Sequence, residues 1–178
     1  MKRLFASLVA LLFLTPACAF ELSSPDVVQG QRLNRAQVYA GYGCNGGNLS
    51  PALQWKGVPV GTRSFALTVF DPDAPTGKGW WHWLIFDIPA TVDALPAGVG
   101  VNAPLPAGAK QGRNDFGERV YGGACPPVGN GTHHYVFTVY ALKVGRLDID
   151  ADAGPEQIGA AVRSNSLGSA QITATYSR

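Results

Sequence analysis

Only 15% of the 178 residues are charged, against ~25% in a typical soluble domain. Hydrophobic residues make up 46%, enough for one domain-sized core and too many for a disordered chain. The formal charge is +2, and without Lys2 and Arg3 the 12 remaining basic side chains balance 12 acidic ones, which excludes an electrostatic footprint for nucleic acid or anionic lipid.

Met1-Lys2-Arg3 opens the chain with positive charge, a largely apolar run follows from Leu4 to Leu14, and Ala17-Cys18-Ala19 places small residues around a cleavage position. That order reads as a secretory signal peptide over residues 1–19, with the mature domain over residues 20–178 and a periplasmic or secreted location. The run is too short for a membrane span, which needs about 20 apolar residues. A lipoprotein anchored through Cys18 is the rival reading, and Thr15 and Pro16 fit it poorly. Export leaves Cys44 and Cys125 as an even pair in an oxidising compartment, and so as a disulfide candidate. Both lie in glycine-rich loops, whose approach spacing alone does not determine.

Short apolar runs then alternate with turn clusters, which predicts an all-β fold with few helices, a sandwich of a large antiparallel sheet and a smaller one. A short strand closes near Trp55. Residues 65–70 (FALTVF), 83–88 (WLIFDI) and 135–142 (YVFTVYAL) are apolar almost throughout, as strands covered on both faces should be. Residues 172–176 (ITATY) alternate with threonine and predict a half-exposed strand. A helix is expected over residues 155–163, with Asp152 or Gly154 as its cap, Pro155 in its first turn, and Ile158 and Val162 on one face. Residues 91–128 show little periodicity, and a loop of that length is either functional or holds short strands that pattern alone does not reveal.

Chemistry gathers at the ends of the apolar runs. Asp71 and Asp73 lie in a proline-stiffened turn just after residues 65–70. His82 opens the tryptophan-rich strand, and His133 and His134 open another. His133 and Tyr135 are two apart and share a face, while the loop through Cys125, Pro126 and Pro127 can present backbone N–H groups to an anion. Each feature alone is ordinary turn or strand chemistry; their conjunction points to a site. No HExxH or close paired-ligand spacing supports a metal, and no cofactor is expected.

The motifs DPDAP at residues 71–75, GWWHW at 79–83, GGACPP at 122–127 and His133-His134-Tyr135 resemble the phosphatidylethanolamine-binding proteins, also called Raf-kinase-inhibitor-like proteins, and in particular their bacterial exported branch. GCNGGNLSP at residues 43–51 and GRNDF at 112–116 add to the resemblance, which runs from about Phe20 to the C-terminus. It implies a large antiparallel sheet packed on a smaller one, with a small anion pocket at one end. Asp71, His82, His133 and Tyr135 would line that pocket, and Asp73 with Cys125, Pro126 and Pro127 would shape it. The family usually carries arginine between the last histidine and tyrosine; His134 stands there and falls on the opposite face.

The expected function is therefore an exported, non-catalytic binding protein for phosphorylated or carboxylated ligands, such as phosphate or a phosphoethanolamine-like head group. Histidine and tyrosine supply donors. An aspartate beside an imidazole would raise its pKa so that the ring donates as imidazolium, and backbone N–H groups near Cys125 and Gly129 would add to the set. A hydrolase using Asp, His and Tyr, or Cys125 as nucleophile, is the alternative. An unidentified protein partner and a homodimer through a tryptophan-rich rim are further partner readings.

Overall fold

The computed structural model describes residues 19–150 and 152–178, so the signal-peptide reading, Ala19 apart, lies outside the described residues. In chain order these form β1 (Glu21–Ser23), β2 (Ala40–Gly41), β3 (Cys44–Asn45), β4 (Leu53–Lys56), β5 (Ser64–Asp71), β6 (Trp80–Pro89), β7 (Ala94–Leu95), β8 (Lys110–Gln111), β9 (His133–Leu142), α1 (Pro155–Ser164) and β10 (Ser166–Tyr176). The large sheet is antiparallel in the order β10-β9-β5-β6-β8, the smaller one runs β1-β4-β7, and β2 and β3 form a separate pair. This is the expected all-β sandwich, and β7 and β8 are the short strands inside residues 91–128.

The apolar runs are explained by cover on both faces. Leu67, Val69, Trp83, Ile85, Phe137 and Val139 meet Leu22, Leu53, Trp55 and Leu95 of the smaller sheet in the main core. Ala66, Leu84 and Phe86 point the other way and are closed over by Leu147, Ile158 and Val162. Helix α1 supplies the last two from one face, i and i+4 apart. Gly154 is its N-cap, with its N–H donating to Gln157 Oε1 at 3.2 Å, and Pro155 takes the first helical position. Asp152, the other cap candidate, instead pairs with Arg119.

Two strands are longer than their local pattern suggests. β10 begins at Ser166, because residues 166–171 pair with β9 from Leu142 onward despite their serines and glycine; cross-strand pairing overrides a weak propensity. β6 begins at Trp80, which puts His82 inside the strand rather than at its start. It carries two β-bulges. Val69 pairs with Trp83 and Phe70 with Trp81, so His82 has no partner on β5. At the second, between the Phe65 and Leu67 pairs, Asp87 adopts a left-handed backbone (φ 59°). Its buried carboxylate accepts from the Leu147 N–H at 2.8 Å and faces Lys110 Nζ at 3.2 Å.

Candidate functional site

The bulge at His82 builds the site. On a regular strand His82 would share a face with Leu84, toward α1. The extra residue resets the alternation. Trp81 packs with Phe70 in the α1 layer, while His82 turns to the core side, where its ring meets Tyr135 edge-on at 5.0 Å. Asp71 ends β5 and His133 and Tyr135 open β9, so the sheet delivers all four side chains to one end of one face. They line a cavity of about 340 Å³, together with Tyr42, Ala74, Pro75, Thr76, Trp80, Asp115, Phe116, Cys125, Pro126 and Pro127.

Seven of the eight expected site residues therefore meet there, and Asp73 does not. Its carboxylate lies outside the lining and accepts from the backbone N–H of His134 at 2.7 Å and from its ring Nδ1 at 2.8 Å. Partial burial pushes the Asp73 pKa up, but the hydrogen bonds and charge of His134 outweigh it and hold the carboxyl below its ordinary value. His134 is exposed and points away from the cavity, the face that the period of two requires.

Asp71 is buried and both its oxygens are engaged. Oδ1 accepts from the Asp73 N–H at 2.8 Å and Oδ2 from His133 Nδ1 at 2.7 Å. His133 Nε2 lies 2.9 Å from Asn130 Oδ1, so both nitrogens of this ring are already partnered. His82 corrects the expected mechanism. No carboxylate holds it: its Nδ1–H donates to the Gly122 carbonyl at 2.7 Å. Burial lowers its pKa, and the Gly122 and Gly123 carbonyls and the charges of Asp71 and Asp115 only partly offset that. The ring is therefore neutral at neutral pH, and its Nε2 is a lone-pair acceptor rather than a cationic donor.

The loop opposite is pinned to make this contact. Asn48 donates to the Tyr121 carbonyl at 3.1 Å and accepts from the Gly123 N–H at 2.7 Å. Buried Asn114 reaches the carbonyls of His82 and Val120. A Cβ on Gly123 would lie 2.5 Å from the Gln37 carbonyl oxygen, so only glycine lets this backbone approach so closely. The expected Gly129 N–H donor is spent on the Arg178 carbonyl at 3.1 Å.

Two donors have no partner. Tyr135 Oη and Trp80 Nε1 are buried at the cavity without a hydrogen bond. The Cys125 N–H is turned toward the tyrosine oxygen, but burial dominates and drives the Tyr135 pKa upward, so the phenol keeps its proton. Of the expected donors Tyr135 is free, His82 and the Gly129 N–H are not, and Trp80 adds a donor outside the expected set.

Cys44 and Cys125 form a disulfide with Cα atoms 5.9 Å apart, bridging 81 residues. That removes Cys125 as a nucleophile, the cysteine form of the hydrolase reading. Trp81 and Trp83 are buried and Trp80 is half-buried, so these tryptophans do not form an exposed rim. Among the described residues no group of three or more His, Cys, Asp and Glu is placed to hold a metal ion. Nor is any helix long and apolar enough to cross a membrane.

Phe116, Asp115 and Tyr42 were not singled out as site residues. Phe116 stacks on Tyr39 with ring centroids 4.4 Å apart and meets His82 and Trp80, each at 5.4 Å. The available signals were the GRNDF motif and a tyrosine set between two glycines.

The family model described as phosphatidylethanolamine-binding protein matches residues 23–177. The UPF0098 protein YbcL of Escherichia coli is 48% identical over 99% of this chain and 98% of its own length. Its crystal structure, described as that of a member of the mammalian PEBP family, superposes with a TM-score of 0.87 and covers 89% of this chain and 98% of that one. LppC of Mycobacterium tuberculosis, whose name calls it a lipoprotein, is 35% identical over 91% of this chain and 76% of its own length.

Proposed function

The chain belongs to the phosphatidylethanolamine-binding protein family, and on that footing we propose that it is an exported, non-catalytic binding protein that holds one small phosphorylated or carboxylated group in the cavity at the end of the large sheet. The observation that carries this reading is the pair of buried, unpartnered donors, Tyr135 Oη–H and Trp80 Nε1–H, on the walls of the cavity. A buried donor without an acceptor is costly, and an oxyanion entering the cavity satisfies both. Asp71 and His133 hold each other and set the shape of the floor.

The basic leader and small-residue cleavage position support export, and the disulfide is of the kind that persists in an oxidising compartment. Processing is read directly from the N-terminal sequence of the protein recovered from the cell envelope or medium; a mature chain beginning at Phe20 is expected.

The binding test is titration calorimetry of phosphate, phosphoethanolamine and acetate against wild type and Tyr135→Phe. The phenylalanine keeps the ring and removes one charge-assisted hydrogen bond, worth about 1.5–3 kcal/mol, so affinity should fall by about 10- to 150-fold with the fold intact. Equal affinities for the two proteins would remove the cavity from consideration. An ester and phosphoester panel run on the same samples should give no product; turnover abolished by Tyr135→Phe would establish a hydrolase instead.

A further inference from the structure

The cavity does not have the walls of a dianion site. Two carboxylates, Asp71 and Asp115, line it, and no lysine or arginine does. Its polar inventory is uneven. Tyr135 and Trp80 offer one hydrogen each, whereas His82 offers a lone pair: its Nδ1–H is committed to Gly122, and Nε2, on a ring that lines the cavity, has no hydrogen bond. A fully deprotonated oxyanion would bring its own lone pairs against this nitrogen and its second charge against two carboxylates. A singly charged oxyanion that keeps a P–OH proton removes both conflicts.

We propose that the cavity takes a singly charged phosphate oxyanion that keeps a P–OH proton, the monoanion of a phosphomonoester or of inorganic phosphate, and that this proton is donated to His82 Nε2. The inference rests on the binding reading above and sharpens it to a ligand class. The remaining phosphoryl oxygens accept from Tyr135 and Trp80. No bond to phosphorus forms or breaks; the proton stays in the hydrogen bond between ligand oxygen and imidazole.

The charged groups that raise the His82 pKa favour this assignment. Asp71 at the end of β5 and Asp115 in the loop after β8 contribute negative charge. Tyr135 on β9 presents a neutral phenol, and Phe116 an edge-on ring. His133 lines the same cavity, with its two ring nitrogens held by Asp71 and Asn130. The carboxylates welcome a proton at His82, and the ligand supplies it where burial denies it to the free protein.

The experiment is calorimetry of methyl phosphate at pH 8 in two buffers of different ionisation enthalpy. There the free ligand is mostly dianionic, since a phosphomonoester has its second pKa near ~6. Expected is uptake of about one proton per ligand bound, with affinity falling about tenfold for each pH unit above the second pKa. Inorganic phosphate titrated alongside shows which carrier of the P–OH group the cavity prefers. Dimethyl phosphate, which has no P–OH, should bind about tenfold more weakly than methyl phosphate at pH 6, the cost of an unpaired acceptor.

His82→Phe, which keeps a ring and removes the acceptor, should lose the proton uptake, whereas His134→Gln, on the opposite face, should keep it. Should His82→Phe fail to fold, the ¹⁵N signal of His82 Nε2 in wild type serves instead. It should move from the position of a bare ring nitrogen toward that of a hydrogen-bonded or protonated one as ligand saturates. Binding without proton uptake, equal affinity for the diester, or an unmoved Nε2 signal overturns the inference and leaves the binding reading standing. If neither phosphate nor methyl phosphate binds at millimolar concentration, the binding reading itself falls and takes the inference with it.

Discussion

At His82 burial opposes protonation, so the residue converts solution pH into stability. Its pKa is lowered from the ordinary 6.5 chiefly by desolvation. The unfolded chain therefore takes up a proton at a higher pH than the folded one, and stability falls as the pH drops from about 6.5 toward the lower folded value. While only the unfolded state is protonated there, the slope is at most about 1.4 kcal/mol per pH unit. Urea unfolding of the ligand-free protein between pH 7.5 and 5 should show this decline, and His82→Gln should flatten it; parallel profiles would place the acid-sensitive group elsewhere. Asp71, His82, His133 and Tyr135 were legible in the sequence through their motifs, which set Asp71, His133 and Tyr135 at strand ends and His82 near one. The protonation of His82 was not, because it depends on a carbonyl 40 residues away at Gly122. Trp80 as a donor was equally hidden, since an unpartnered N–H is visible only when its surroundings are known.

Among the elements, α1 was predicted to within one residue from its apolar spacing and its Gly-Pro start. Its Gly159 illustrates what spacing leaves out. Glycine in a helix interior costs about 1 kcal/mol relative to alanine, so Gly159→Ala looks stabilising on propensity. A Cβ there would lie 2.7 Å from the Trp81 ring, and overpacking of a core contact costs about 1–3 kcal/mol. Denaturant unfolding should therefore find Gly159→Ala neutral or destabilised by up to about 2 kcal/mol; a gain near 1 kcal/mol would mean that Trp81 yields freely. β6 shows the same limit in a strand. Its composition made it a strand, but alternation alone would have sent His82 toward α1. The bulge that reverses it exists because β5 and β6 must pair on both sides of His82 in different registers.

At the scale of the whole molecule, the disulfide ties the β2–β3 pair to the cavity loop across 81 residues. The chain-entropy model values a closed loop of that length at up to about 4.5 kcal/mol, with measured values typically about 2–4. A Cys44→Ser/Cys125→Ser variant should lose about 2–4 kcal/mol in urea unfolding. Wild type with reductant should match it, and reductant should not change the variant; a smaller loss would show that the unfolded chain is already compact. By itself the sequence determined the class of the molecule: apolar runs of period two or less, broken by Gly and Pro, leave a sandwich as the way to bury them. It also determined where the chemistry gathers, because proline turns end strands and ended strands bring their last side chains to a sheet margin. Tertiary structure alone decided what that chemistry is. Asp73 left the cavity for His134, His82 became an acceptor, and Tyr135 and Trp80 became the free donors. The reason is physical: hydrogen-bond partners and burial are set by residues distant in the chain, and those two quantities determine whether a polar group donates, accepts or carries charge.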